Sequence, residues 1–160
     1  MTMEQKPAHQ LFNMLNPVHF LAVGFGSGLA PKAPGTFGTA VAVPLFVLCW
    51  TFLPHSYLVA LTVVMAVAGV YICGKAAEDA GVHDHGAIVW DEIVGFFICM
   101  LGITVNWMTL LVGFLLFRFF DIVKPWPIKL ADQRVSGGFG IMLDDVLAGF
   151  MALAAMHIIF

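Results

Sequence analysis

Residues 93–120 read IVGFFICMLGITVNWMTLLVGFLLFRFF, and the fold turns on whether they form one helix or two. The middle of the run, "ITVNW", carries β-branched residues and Asn106, which favours a bend there. Charge argues the same way. Asp91 and Glu92 stand immediately before the run, and Arg118, Asp121 and Lys124 stand at or just past its end. One continuous helix would separate those groups onto two faces, whereas a hairpin of two helices returns them to one.

The rest of the chain repeats the pattern. Further apolar stretches run over 18–29, 39–53, 57–73 and 146–160, most of them shorter than the about 20 residues a helix needs to cross the hydrocarbon core. Pro54 in "LPHS" breaks the chain between the second and third of the six stretches, giving another hairpin. The first stretch contains "VGFGSGLA" and reads as a re-entrant or interfacial piece. Hydrophobic residues make up 61% of the 160 residues and charged ones 11%, against about 45–50% and about 25% in soluble domains. Some of that apolar surface must face lipid. The expected architecture is all-α: a polytopic membrane helical bundle with short, hairpin-paired helices and a re-entrant glycine-rich segment. It fills 1–160 as one domain, with a polar N-terminal segment over 1–16 that has no signal-peptide h-region.

All seven basic and ten acidic residues fall in the N-terminus, in "PKAPGT", in 74–92 or in 118–145, and none falls at a hairpin tip. The charged face is therefore expected to be cytoplasmic and the protein multi-pass. A net charge of −3 says nothing about partners, but only seven Lys and Arg with no basic stripe speak against nucleic acid. Cys49, Cys73 and Cys99 lie far apart in apolar sequence, which suits buried free thiols rather than disulfides or zinc.

Three motifs meet on the charged face. The first, "GSGLAPKAPGT" (26–36), offers backbone amides at Gly26 and Gly28, the charge of Lys32 and the hydroxyl of Thr36, a combination suited to phosphate. Close helix packing through Gly24 and Gly28 is the plainer explanation of the same glycines. The second, "EDAGVHDHGAIVWDE" (78–92), holds five carboxylates and two histidines. Asp91 and Glu92 could simply complement a helix N-terminus. Carboxylates beside membrane surface are costly, however, unless a cation neutralises them, and hard oxygen ligands suit Mg²⁺. The third runs from Phe117 to Gly149, with Arg118 and Asp121 spaced i, i+3, Lys124 before the breaker Pro125, and Asp144–Asp145 opening the last apolar run. Arg118–Asp121 is also explained by an ordinary helix ion pair. Acids that bind metal beside basic residues make a site for a metal-bound phosphate.

Several phosphatase chemistries are absent. Six residues past the three cysteines stand His55, Asp79 and Val105, so there is no Cys-x5-Arg loop. Neither a DxD pair, a "PSGH" nor a "DGxxAR" motif occurs. What remains is a carboxylate–Mg²⁺ hydrolase, or, from another class, a membrane cation or proton transporter using paired carboxylates. The transporter would place charges along a path through the membrane rather than on one face.

The stretches "AVGFGSGLAPKAPGT", "GVHDHGAIVWDEIVG", "FRFFDIVKPWPI" and "GGFGIMLDDVLAG" together resemble the phosphatidylglycerophosphatase A family of bacterial membrane enzymes. The resemblance implies Mg²⁺-dependent conversion of phosphatidylglycerophosphate to phosphatidylglycerol at the inner membrane, with lipid bilayer and lipid substrate as partners and a homo-oligomer left open. Asp91, Glu92, Asp144 and Asp145 would be metal and catalytic acids, and Asp84 and Asp121 supporting ligands. Arg118, Lys124 and Thr36 would contact phosphate, with Lys32, Gly26 and Gly28 beside them. Thr39 stands where the family often has serine, a small departure.

Overall fold

A computed structural model describes residues 6–160, and residues 1–5 of the polar N-terminal segment lie outside them. The helices are α1 (Ala8–Leu11), α2 (Pro17–Ala22), α3 (Pro34–Phe52), α4 (His55–Ala80), α5 (Trp90–Met100), α6 (Trp107–Val123), α7 (Ile128–Arg134) and α8 (Gly137–Ile159), with no strand among the described residues. The all-α bundle expected from the sequence is what forms.

The break inside 93–120 is real. α5 stops at Met100, Gly102 takes a left-handed φ of 74°, and Asn106 caps the next helix. The Asn106 side chain accepts from the amides of Met108 (2.9 Å) and Thr109 (3.1 Å), and Thr109 Oγ1 accepts from the Asn106 amide (3.0 Å). This reciprocal box satisfies donors that the first turn of α6 would otherwise leave open. At the other joint, Pro54 ends α3, as read.

Two features differ from the expectation. α3, α4 and α8 span 19, 26 and 23 residues, long and apolar enough to cross a membrane, because each continues beyond its apolar stretch into the charged end. In addition, chain neighbours are not the main packing partners. α3 scarcely touches α4; it packs on α5, while α8 lies against α4, α5, α6 and α7. The reason is α5, a helix of 11 residues in which every residue except Glu92 is buried. Apolar on every side, it can be stable only if sheathed, so the longer helices pack around it. Phe46 of α3 meets Phe96 and Phe97 edge to face, with ring centroids 6.2 and 5.2 Å apart. The bundle's outside carries Leu48, Val64, Val67, Leu111, Leu115 and Phe150, all exposed, a girdle that only lipid would cover.

The glycine-rich segment forms α2, then a left-handed turn over Gly24, Phe25 and Gly26, then a 3₁₀ turn over Ser27–Leu29 that returns the chain towards α3. It is held from both sides. His19 accepts the Asn13 amide at Nδ1 (3.0 Å), so Nε2 carries the proton and donates to Asp79 of α4 (3.0 Å). At its far end the Ala22 carbonyl accepts from the Val89 amide (2.8 Å), which fixes the strand of chain leading into α5.

Candidate active site

Two glycines decide where the acids go. α5 and α8 cross at Gly95 and Gly149: a Cβ built on Gly149 would lie 2.6 Å from the Gly95 carbonyl, and one on Gly95 only 2.4 Å from the Phe117 ring. Four residues earlier on each helix, one turn nearer the charged end, stand Asp91 and Asp145. The close crossing therefore drives those two carboxylates together, and Glu92 completes the group. Asp91, Glu92 and Asp145 each bring a ligand oxygen to within 4.8 Å of the others. Asp91 Oδ1, Glu92 Oε2 and Asp145 Oδ2 are buried with no hydrogen-bond partner in the protein. Buried polar atoms are normally satisfied, so an orphaned carboxylate oxygen on each of three acids gathered this closely fits a hard divalent cation.

α6 supplies the positive side. Arg118 donates through an Nη to Asp121, while its Nε is buried and without a partner. Asp121 in turn lies beside Asp145 and Glu92. The first turn of α3 closes over this corner: a Cβ on Gly35 would lie 2.8 Å from Glu92 Oε1 and 3.2 Å from both Arg118 Nη atoms. Gly35 was not singled out by the sequence reading, since nothing in "PKAPGT" marks it apart from its neighbours. Thr36, one residue on, is half-buried at the same helix start. The Thr39 hydroxyl donates to the Gly35 carbonyl (2.9 Å), a bond that serine could also make.

The remaining expected site residues sit elsewhere. Asp144 is not one of the three gathered acids; its Oδ2 accepts from Lys124 Nζ (3.1 Å), which also donates to Asp132 (2.9 Å), while its Oδ1 is buried without a partner. Burial opposes the charge on Lys124, but those two bonds push its pKa above the ordinary lysine range, so it stays protonated. Asp84 is exposed and lines a shallow cleft with His83, Asp132 and Asp144. Asp132 belongs to this second cluster and went unnoticed in the sequence, where it stands alone among polar residues. Lys32 is exposed on the loop before α3. The amides of Gly26 and Gly28 both donate to the Val23 carbonyl (3.2 and 2.8 Å), and a Cβ on Gly28 would lie 2.0 Å from the Ala87 carbonyl. Their amides are thus engaged within the turn, and Gly28 serves close packing.

Comparison with known proteins fits this arrangement. The sequence profile of Phosphatidylglycerophosphatase A matches residues 20–160. The chain belongs to the phosphatidylglycerophosphatase A family. The Phosphatidylglycerophosphatase A of Escherichia coli (strain K12) is 47% identical, over 95% of this chain and 88% of its own length. That of Haemophilus influenzae is 46% identical, over 98% of this chain and 96% of its own. A Bacteroides thetaiotaomicron protein, 38% identical over 81% of this chain and 84% of its own, bears a provisional name as a phosphatidylinositol-3-phosphatase. No solved structure matches the chain. Every element of the three-acid corner, from Gly35 to Gly149, falls inside the residues matched to the family.

Proposed function

We propose that this protein is a Mg²⁺-dependent phosphatase of the bacterial inner membrane. Its reaction is hydrolysis of the phosphate monoester of phosphatidylglycerophosphate, at the cytoplasmic face, giving phosphatidylglycerol and phosphate. The observation that carries this reading is the trio Asp91, Glu92 and Asp145, with one orphaned oxygen each, beside the unpartnered Nε of Arg118.

Asp91, Glu92 and Asp145 would hold the ion. When bound, Mg²⁺ offsets their charge and that of the phosphoryl group and acidifies the attacking water. Arg118 Nε reaches towards the phosphoryl oxygens, where negative charge shifts as the bond to the glycerol oxygen breaks. Asp121 keeps the guanidinium plane in place through the opposite edge of the fork. A carboxylate of the cluster takes the proton from water as its oxygen bonds to phosphorus, and that proton leaves with the departing glycerol oxygen. Lys124, tied to Asp132 and Asp144, braces α6 against α7 and α8 beside the centre. The transporter alternative gains nothing from the structure, since Asp91, Glu92 and Asp145 gather at one place beside Gly35 rather than in a row along the bundle.

Phosphate release by purified protein is expected with Mg²⁺ and is expected to fall about a hundredfold or more in EDTA. Release unchanged by EDTA would remove the metal from the reading. No release by folded protein, in detergent and in bilayers alike, would remove the phosphatase. A subtler change is Arg118→Lys, which keeps one charge but loses the fork to Asp121. It is expected to lower kcat by about 10- to 100-fold with the helical circular dichroism unchanged. Activity within a factor of two of wild type would show that Arg118 does not touch the phosphoryl group.

A further inference from the structure

A cavity of about 550 Å³ lies at the charged end and outside the three-acid corner. Lys6 and His9 line it from the N-terminal segment and His85 from the loop before α5, with Gly28, Pro34 and Ala87 among its other walls. Its size is that of a small-molecule site. We propose that this cavity is the subsite for the second phosphate of the substrate, the diester that joins the lipid to the head-group glycerol. The inference rests on the phosphatase reading above.

Three observations support it. First, the cavity offers donors suited to an anion. The Ala87 amide donates to His85 Nδ1 (3.0 Å), so the neutral ring carries its proton at Nε2 and presents a donor there. The Phe12 ring meets His85 edge-on, with centroids 5.7 Å apart, and holds the imidazole in that attitude. Lys6 adds an ammonium, and His9 a second imidazole. Second, the cavity adjoins the acid corner along the chain at two places, though no residue lines both. Pro34 immediately precedes Gly35, which abuts Glu92 and Arg118, and Ala87 leads through Ile88, Val89 and Trp90 directly to Asp91. A ligand filling both places needs two anionic groups joined by a short linker, as a phosphate monoester and a diester are joined through one glycerol. Third, nothing in the acid corner recognises a diester, because Arg118 is the cation there and the Lys124 ammonium is held by Asp132 and Asp144.

The test uses full-length protein in neutral detergent, with the double variant Lys6→Gln/His85→Gln. Phosphatidylglycerol carries the diester without the monoester, and inorganic phosphate resembles the monoester without the diester. The variant is expected to raise the KM for phosphatidylglycerophosphate and the inhibition constant of phosphatidylglycerol by about tenfold each, at near-unchanged kcat. The inhibition constant of inorganic phosphate should stay within a factor of two. Parallel changes in both inhibition constants, or no change in either, would overturn the subsite. So would a defect seen only after another anionic lipid is added, since the cavity would then hold a neighbouring lipid. Wild-type protein that releases no phosphate at all marks failure of the phosphatase reading instead, a result distinct from each of these.

Discussion

Asp145→Asn is expected to reduce phosphate release from phosphatidylglycerophosphate by about a thousandfold or more, while making the metal-free protein more stable, not less. Asp145 is buried on α8, with its Oδ2 unpartnered, and it faces two further carboxylates across the crossing with α5. At their separation of up to 4.8 Å, two ionised carboxylates repel by about 3.5 kcal/mol if the effective dielectric is about 20. Asparagine has nearly the same shape and no charge, so it relieves that repulsion while removing a ligand that the cation needs. The expected pattern has three parts: near-complete loss of activity, a higher melting temperature than wild type in EDTA, and a smaller rise in melting temperature when Mg²⁺ is added. The combination matters because a plain folding defect would give the first part with the opposite of the second. An Asp145→Asn protein that melts earlier than wild type in EDTA, or keeps a tenth of its activity, would take Asp145 out of the centre.

The pairing Asp144–Asp145 also shows where sequence reading stops. Two adjacent residues on a helix point about 100° apart, so both cannot face one ion unless the helix lies edge-on to it. In the structure Asp145 faces Asp91 and Glu92, and Asp144 faces Lys124. Asp91 and Glu92 escape the same constraint because they sit in the first turn of α5, where the longer Glu92 side chain reaches back. The motif alone offered four equivalent acids, and only the rotation of α8 about its axis divides them. The hairpin joints, by contrast, were legible, because Pro54 and Asn106 act through local backbone chemistry that needs no partner. The burial of α5 was not. Its residues are as apolar as those of α6, and nothing local distinguishes an apolar helix sheathed in protein from one facing lipid. The roles of Gly35, Gly95 and Gly149 were hidden for the same reason, since what each must leave room for belongs to another helix.

That hidden crossing gives the second large expectation. Gly149→Ala adds one methyl group where 2.6 Å separates the ideal Cβ position from the Gly95 carbonyl and 3.1 Å from Ile98 Cβ. Both obstacles are on α5, and the first is backbone, so no rotamer change can clear it. α5 and α8 must part, and Asp91 and Asp145, one turn away, part with them. A shift of about 1 Å in a catalytic centre costs on the order of a hundredfold in rate, and overpacking of this kind costs about 1–3 kcal/mol of stability. Stability loss by itself is separated from displacement by Gly81→Ala. Gly81 ends α4 at a φ of 68° with nothing within 4 Å of its ideal Cβ, so alanine there strains the backbone without moving α5 or α8. Both variants are expected to melt earlier than wild type, but only Gly149→Ala should lose rate about a hundredfold, and only it should need more Mg²⁺ for half-maximal activity. Equal rates for the two variants would mean that the α5–α8 spacing does not set the distance between the acids, and the helix crossing would then be a matter of packing alone.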